Sequence, residues 1–305
     1  MQNSVLKTIT MSASNNNDND DPLIKWSLRR KVYLVTGGTK GIGFATAKAI
    51  LDHGAEGVII CSRSETDCSN AVTALLDHWN EVNSKGKYMS DNKAPIVKGC
   101  ACDISTDLGR KKLVTFTQNV FGRLDGLVNN VGMNVRKDIV QQTMDEYERM
   151  MRTNIDSVYF LCKEFRDLIV NTAANNNGAS IVNVASAAGV QSSGTGAVYG
   201  MTKAAIIHFS KILATEWARY GIRINSIAPW MTMTPMLKDA IKSNPSQLDK
   251  VKEWTPMHRL AEVEEIADPI IFLLLPCSSY ITGQCLGIDG GLTAQGFDGP
   301  TITPT

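Results

Sequence analysis

Short apolar runs alternate with longer segments of helical periodicity from residue 27 almost to the end of the chain. The runs are rich in Val and Ile and contain few polar residues, which is typical of strands buried on both faces. They are Lys31–Thr36, Val58–Cys61, Ile96–Ala101, Gly126–Asn129, Ser180–Ala185, Ile222–Ile227 and Cys285–Ile288. Helices are predicted between them, near residues 42–53, 66–83, 106–120, 143–172, 197–219 and 262–275.

This alternation predicts one α/β domain, a doubly wound fold with a seven-stranded parallel sheet, over residues 27–297. Polar residues dominate 1–26, which we expect to be a disordered tail, and a second short tail follows at 298–305. Two segments interrupt the alternation of predicted strands and helices. Residues 84–95 are polar and predict a loop insertion, whereas 230–258 are rich in Met and Trp and predict a flap over an apolar substrate.

Charge and hydropathy exclude two kinds of partner. The 305 residues include 31 Lys and Arg against 30 Asp and Glu, so the basic excess typical of nucleic-acid binding is absent. The longest apolar run, Ile270–Leu275, is far shorter than the roughly 20 residues of a membrane span.

The 7 Cys lack zinc-like spacing and predict reduced thiols and no metal site. With no signal-peptide or transit pattern in the polar tail, we expect a cytoplasmic protein.

A glycine-rich turn follows the first predicted strand and precedes an Ala-rich helix. In a parallel α/β fold, such a turn lets the backbone approach the pyrophosphate of a dinucleotide, and the helix N-terminus offers free N–H groups. The residues expected to contact the cofactor here are Gly37, Thr39, Lys40, Gly41, Ile42 and Gly43.

The end of the second predicted strand indicates which dinucleotide binds. Sequences that prefer NAD carry an acidic residue about 20 positions after the glycines. Ser62 holds that place here and Arg63 follows it. Because a guanidinium can bind a 2′-phosphate that a carboxylate would repel, Arg63 and Lys40 together predict NADP(H).

Tyr199 and Lys203 share one face of a predicted helix, because a spacing of four brings side chains together. Ser186 follows a predicted strand, at the edge of the sheet where ligands bind in such folds. At about 5 Å and an effective dielectric of about 20, the ammonium would favour the phenolate by roughly 3 kcal/mol, or about 2 pKa units. We therefore expect Tyr199 to exchange a proton near neutral pH.

In their order along the chain, these residues resemble the short-chain dehydrogenase/reductase family. Thr36–Gly43 is similar to its TGxxxGIG turn, Asn129–Gly132 to its NNAG segment and Tyr199–Lys203 to its YxxxK pair. The resemblance covers about residues 27–297. It implies a Rossmann fold and hydride transfer from nicotinamide C4 to a carbonyl carbon.

The resemblance also implies a role for each catalytic residue. Tyr199 would give the proton, and Ser186 would hydrogen-bond the substrate oxygen. Lys203 would lower the pKa of Tyr199 and hold the nicotinamide ribose, while Asn154 would position a water that links Lys203 to solvent. The implied cofactor contacts are Asp103 and Ile104 to adenine, Asn130 to the adenosine-side ribose region, and Thr232 and Thr234 to the carboxamide.

Within the family, the chain is most similar to the tropinone reductase-like branch, through Cys61–Arg63, Asn129–Lys137, Ala228–Trp230, Tyr280–Gln284 and Asp289–Gly291. The expected substrate pocket is mostly apolar and includes Ala187, Met133, Gln191 and Trp230. Arg136 stands where tropinone reductases carry His or Tyr, and its charge disfavours the protonated amine of tropinone. Arg136 either contacts the substrate or faces solvent or an acid such as Asp138, and both readings stay open.

The expected function is NADPH-dependent reduction of a small or medium lipophilic ketone to a secondary alcohol. The alternatives are a 3-oxoacyl-thioester reductase, a secondary-alcohol dehydrogenase working oxidatively and, more remotely, a non-catalytic NADPH-binding scaffold. The family resemblance further implies a homodimer or homotetramer.

Overall fold

The computed structural model describes residues 24–85, 93–176, 178–242 and 245–296. Within these residues, one sheet of seven parallel strands forms, as the alternating pattern predicts. The strands are β1 Val32–Thr36, β2 Gly57–Ser62, β3 Ile96–Ala101, β4 Gly126–Asn129, β5 Ala179–Val184, β6 Ile222–Pro229 and β7 Cys285–Ile288. Their order across the sheet is β3-β2-β1-β4-β5-β6-β7.

Helices connect the strands and cover both faces of the sheet. They are α1 Gly41–Asp52, α2 Glu65–Ser84, α3 Asp107–Phe121, α4 Met144–Met151, α5 Ser157–Asn175, α6 Ala197–Trp217, α7 Pro235–Ala240, α8 Asp249–Trp254 and α9 Val263–Leu274. None of the helices in the described ranges is long and apolar enough to cross a membrane.

Two apolar cores lie on opposite faces of the sheet, because successive side chains of a strand point to opposite sides. In β1, Leu34 packs with Leu113 of α3 and Phe165 of α5. Its neighbour Val35 packs on the other face, with Ile50 of α1 and the residues of α9. Burial on both faces explains why the strand sequences are continuously apolar rather than alternating.

The strand order reverses between β1 and β4, which opens a crevice beyond their carboxyl ends. The main-chain N–H of Asn130, just after β4, donates to Thr36 Oγ1 at the end of β1 at 2.9 Å. The glycine-rich turn follows β1, and Ser186 lies two residues beyond β5. The fold therefore brings the predicted cofactor turn and the predicted catalytic serine to one edge of the sheet.

The long helix predicted over residues 143–172 is interrupted. Thr143 and Glu146 form a capping box that starts α4, and a π-helical turn, Arg152–Asp156, separates α4 from α5. Hydrophobic periodicity did not reveal this turn, because it displaces the helix by only one residue. π-turns inside helices frequently mark functional sites, and this one buries Asn154 completely.

The segments outside the regular pattern are described only in part. Ile24–Trp26, assigned to the disordered tail from sequence, instead form a short 3-10 helix, and nearby Leu28 is buried and donates from its backbone to His53 O at 2.9 Å. Ser84, the first residue of the predicted insertion, is the last residue of α2. Most of the predicted tails, 1–23 and 297–305, and residues 86–92 of the insertion lie outside the described residues. The predicted flap contains α7 and α8, which are both short.

Candidate functional site

The glycine-rich turn is a backbone cradle at the N-terminus of α1. Gly37 and Gly41 have φ angles of +64° and +56°, in the left-handed region that favours glycine. A Cβ at Gly43 would lie 2.3 Å from Gly37 O, so the turn can close only without a side chain there. Lys40, the N-cap of α1, makes no side-chain cap, which leaves the first N–H groups of the helix open to an anion. The cradle fits a pyrophosphate.

Asn130 braces this cradle. Its side-chain Nδ2 donates to Thr36 O at 2.9 Å and to Gly37 O at 3.3 Å, so both amide hydrogens are engaged within the protein. The family resemblance implied that Asn130 contacts the adenosine-side ribose region of the cofactor. In the structure the amide holds the turn in shape, and the contact with the cofactor stays a prediction.

The two cations predicted to bind a 2′-phosphate have different surroundings. Lys40 Nζ lies 3.0 Å from Asp67 Oδ2, and this ion pair neutralises it. Arg63, directly after β2, is exposed and makes no ion pair with any described residue. Ser62 Oγ donates to Ser64 O at 3.1 Å. Sequence reasoning missed Asp67, although an acidic residue in the first turn of a helix capped by Ser64 was a visible signal.

The residues predicted to contact the rest of the dinucleotide lie along the same edge. Asp103 Oδ1 accepts hydrogen bonds from the N–H and the hydroxyl of Ser105, and Ile104 is buried in the core. Thr232 is buried and donates to Trp230 O at 3.0 Å. A Cβ at Gly41 would lie 3.4 Å from Thr234 Cγ2, so the start of the flap contacts the glycine-rich turn. Of the remaining predicted contacts, Thr39 and Ile42 are half-buried in the turn itself.

Ser186, Tyr199 and Lys203 converge beyond the end of β5. Ser186 Oγ accepts from the Ala188 N–H at 3.2 Å and donates to Pro229 O at 3.5 Å, and the Ser186 and Tyr199 hydroxyls are hydrogen-bonded. Lys203 Nζ lies 5.7 Å from the centroid of the Tyr199 ring. The spacing read from the sequence therefore does bring the three residues together.

Lys203 is held by the backbone rather than by a carboxylate. Its Nζ donates to Val184 O at 2.9 Å, and burial lowers the pKa of the ammonium to about 8. Gly132 packs against it, since a Cβ there would lie 3.1 Å from Lys203 Nζ. Gly132 and Val184 were not singled out for this role from sequence, because a backbone carbonyl and a missing side chain leave no chemical signal.

The pKa of Tyr199 differs from the sequence-based expectation. Burial raises the pKa of the phenol above its ordinary value, while the hydrogen bond with Ser186 and the charge of Arg136 act in the opposite direction. The net shift of this pKa is therefore upward, and the part played by Lys203 in lowering it stays a prediction. Coulomb attraction was counted from spacing alone, whereas the half-buried Tyr199 and the buried Lys203 both lose hydration.

Asn154, in the π-turn, is fully buried, and both polar atoms of its side-chain amide are hydrogen-bonded within the protein. Its Oδ1 accepts from the Met133 N–H at 2.8 Å, and its Nδ2 donates to Met133 O and to Thr202 Oγ1, both at 3.0 Å. A Cβ at Gly132 would lie 3.7 Å from Asn154 Oδ1 as well. Asn154 thus fixes the loop after β4 against α6, beside Lys203. We call Asn154, Ser186 and Lys203 the catalytic wall.

A cavity of about 750 Å³ opens next to Tyr199 and the loop after Ser186. It is lined by Arg136–Ile139, Ala188, Ser192–Ala197 and Gly200. We call residues 136–140 the cavity rim. Of the predicted substrate residues, Arg136 lines this cavity, whereas Met133, Gln191 and Trp230 are absent from its described lining. Trp230 instead lines a smaller cavity of about 190 Å³ under the flap, with its Nε1 donating to Thr255 Oγ1 at 3.1 Å.

Comparison with known proteins agrees with this arrangement. The family model for enoyl-(acyl carrier protein) reductase matches residues 37–293. A tropinone reductase homolog of Arabidopsis thaliana, described as chloroplastic, is 39% identical over 90% of this chain and 79% of its own length. A tropinone reductase homolog of Datura stramonium is 37% identical over 90% of this chain and 96% of its own length. The Pseudomonas aeruginosa RhlG/NADP complex superposes with a TM-score of 0.77, at 30% identity over 88% of this chain and 99% of that one.

The fold and the site define an oxidoreductase of the class that acts on CH–OH groups and binds a nicotinamide dinucleotide. The chain belongs to the short-chain dehydrogenase/reductase family and is similar to its tropinone reductase-like members.

Proposed function

We propose that the protein uses NADPH to reduce a small or medium lipophilic ketone to a secondary alcohol. The observation that carries this proposal is the convergence of Ser186, Tyr199, Lys203 and Asn154 at the carboxyl edge of the sheet, beside a cavity and next to the glycine-rich turn. A non-catalytic NADPH-binding scaffold would have no need to keep this set complete.

The bound dinucleotide supplies the hydride that reduces the carbonyl carbon. Tyr199 gives its hydroxyl proton to the carbonyl oxygen, so that a ketone gains one hydride and one proton and becomes an alcohol. Ser186 holds the same oxygen with its hydroxyl and is itself oriented by the Ala188 N–H. Lys203, near its pKa of about 8, carries a proton that can replace the one Tyr199 gives away. Asn154 positions Lys203 and the loop after β4, and a bound water linking Lys203 to solvent is part of this proposal.

The preference for NADPH is supported by the end of β2. Ser62, rather than a carboxylate, ends the strand, and Arg63 directly after it is exposed and without an ion pair among the described residues. Lys40 is already neutralised by Asp67, so Arg63 is assigned the larger part in binding a 2′-phosphate. The glycine cradle, Asp103, Ile104, Thr232 and Thr234 complete the proposed dinucleotide site, with Tyr199 and Lys203 at its nicotinamide end.

A lipophilic substrate is supported by the apolar side chains around the entrance. Ile139 and Val140 of the cavity rim are exposed. The family model is described by an acyl-carrier substrate, so a 3-oxoacyl-thioester reductase remains the second candidate function.

A panel of ketones tests the proposed activity directly. Initial rates of NADPH and NADH oxidation are measured with cyclic and acyclic ketones of increasing hydrophobicity and with an acetoacetyl thioester. We expect NADPH-dependent rates that rise with hydrophobicity. Oxidation of neither cofactor with any carbonyl would overturn the proposal, and the highest kcat/KM on the thioester would favour the second candidate.

Cofactor preference is tested with Arg63→Asp. The new carboxylate repels a 2′-phosphate and can accept hydrogen bonds from a ribose, so the preferred cofactor should change from NADPH to NADH. Lys98→Asp, which removes a cation from β3 without touching the end of β2, is the control. An unchanged ratio of kcat/KM for the two cofactors in Arg63→Asp would contradict the assignment.

We also propose a homodimer or homotetramer in the cytoplasm. Tyr159 of α5 and Ile212 of α6 are large apolar side chains left exposed in the single chain, which supports association through these helices. The 7 Cys are all free thiols, in keeping with a reducing compartment. Light scattering gives the assembly size, and imaging of a tagged chain distinguishes the cytoplasm from the chloroplast named for one relative.

A further inference from the structure

Arg136 is a cation without a carboxylate partner among the described residues. Its Nη2 contacts Met231 Sδ at 3.8 Å, and this thioether is the one hydrogen-bond partner that the described residues provide for the guanidinium. The neighbouring charges are engaged elsewhere. Lys137 Nζ binds Glu146 Oε1 at 2.5 Å, and Asp138 Oδ1 accepts from the Val140 N–H at 3.2 Å. The open reading that Arg136 pairs with Asp138 is therefore not supported.

Arg136 lines the cavity that opens next to the candidate active site. It shares the lining of this 750 Å³ cavity with Ala188, which follows the catalytic serine, and Gly200, which follows the catalytic tyrosine. The opposite wall is fixed in place, because Asn134 Nδ2 donates to Thr195 O at 3.0 Å. The charge of Arg136 also reaches the active centre, where it acts to lower the pKa of the Tyr199 phenol.

We propose that Arg136 binds the carboxylate of the substrate, so that the substrate class is a lipophilic oxo-acid rather than a neutral or cationic ketone. This inference rests on the proposed reductase function and narrows its substrate. A guanidinium presents a planar fork of N–H donors that matches a carboxylate with two parallel hydrogen bonds. Its weak contact with a thioether is easily exchanged for these stronger bonds.

The cavity rim fits the rest of such a molecule. Ile139 and Val140 stand beside Arg136, with 69% and 87% of their surfaces exposed, and a short carbon chain between ketone and carboxylate can cover them. A carboxylate held at Arg136 fixes one end of the substrate while the ketone at the other end reaches Tyr199 and Ser186. Arg136 therefore sets both the charge and the length of the preferred substrate.

A length series of oxo-acids tests the inference. The substrates are 4-oxopentanoate, 5-oxohexanoate, 6-oxoheptanoate and 7-oxooctanoate, each compared with its methyl ester. The wild type should prefer the acid over its ester, with an optimum at one length. Arg136→Gln should lower kcat/KM for that acid about 10- to 100-fold, mainly through KM, and change the rate with the ester less than about twofold.

Lys111→Gln is the control, since Lys111 is an exposed cation on α3, outside the cavity lining, and is held by Asp107. The acid-to-ester ratio should stay at the wild-type value in this variant. An equal fall in both variants would indicate a general field of positive charge and would overturn the assignment to Arg136. A wild type that prefers every ester, or an Arg136→Gln variant with an unchanged ratio, would overturn it as well.

Binding measurements separate this inference from the proposed activity. Saturation-transfer NMR of the four oxo-acids is recorded with the wild type and with Arg136→Gln, without turnover. Signals present in the wild type and lost in the variant support the carboxylate site even if the ketone panel shows no reduction. Equal signals in both proteins reject the site while leaving the reductase proposal intact.

Discussion

The cavity rim lines the 750 Å³ cavity, whereas the catalytic wall lies outside the described lining of that cavity, and the two are built in opposite ways. Asn154, Ser186 and Lys203 are buried and hydrogen-bonded to the protein. The cavity rim is exposed, and its cation Arg136 meets only a thioether among the described residues. Under the proposed function, the groups that act on the carbonyl are therefore fixed before any substrate binds, whereas the group proposed to select the substrate gains its hydrogen-bond partners only when the substrate binds.

The largest effect should come from removing the proton donor. Tyr199→Phe keeps the ring and deletes the hydroxyl, so kcat should fall about 100- to 10,000-fold. NADPH binding, measured by fluorescence titration, should stay near the wild-type value. Tyr280→Phe is the control, because Tyr280 is fully exposed and should keep full activity. Substantial turnover by Tyr199→Phe would show that Tyr199 is not the proton donor.

A side chain added to the glycine-rich turn should have a smaller effect than removal of the proton donor. A Cβ at Gly43 would lie 2.3 Å from Gly37 O, and backbone cannot move aside as a side chain can. Gly43→Ala should weaken NADPH binding and lower the free energy of unfolding by about 1–3 kcal/mol. Calorimetric titration and urea unfolding measure the two effects. Gly296→Ala, with nothing within 4 Å of the added Cβ, should change neither.

The burial of Lys203 predicts a dependence of stability on pH. Its folded pKa of about 8 lies below the ordinary lysine value of 10.5, so between these values the unfolded chain holds more protons than the folded one. Stability from this group should therefore rise by about 2 kcal/mol from about pH 7 to about pH 10.

Lys203→Met isolates this contribution. The difference in unfolding free energy between variant and wild type, measured in urea at both pH values, should change by that amount. An equal pH dependence in the two proteins would mean that Lys203 is hydrated and that the wall is less closed than described.

The smallest effect is expected at the flap. Trp230→Phe loses the hydrogen bond to Thr255 Oγ1 and leaves the reacting groups untouched, so it should lower stability by about 1 kcal/mol. Thermal unfolding measures this loss, and kcat should remain close to the wild-type value. A large fall in kcat would place Trp230 at the substrate, as the sequence predicted.

The sequence predicted those features of the fold and the site that depend on local hydrophobic patterns and on the order of the motifs. The seven parallel strands, and the approach of Ser186 to Tyr199 and Lys203, follow from apolar runs and from residues placed at strand ends. The direction of the Tyr199 pKa and the π-turn at Asn154 could not be read there, because desolvation and a one-residue helix displacement arise from tertiary packing. The ion pair of Lys40 with Asp67 joins residues 27 positions apart, so it needed the turn and α2 to be placed in space.

The central claim is that this cleft moves a hydride from NADPH to a ketone and a proton from Tyr199 to its oxygen. Its most direct test is a single turnover with each of the two C4-deuterated forms of NADPH and a lipophilic ketone, followed by mass spectrometry of the alcohol. We predict one deuterium on the carbinol carbon from one of the two forms, and no product with Tyr199→Phe. NADPH consumption that yields alcohol without deuterium from both forms, or equal product from Tyr199→Phe, would contradict the account.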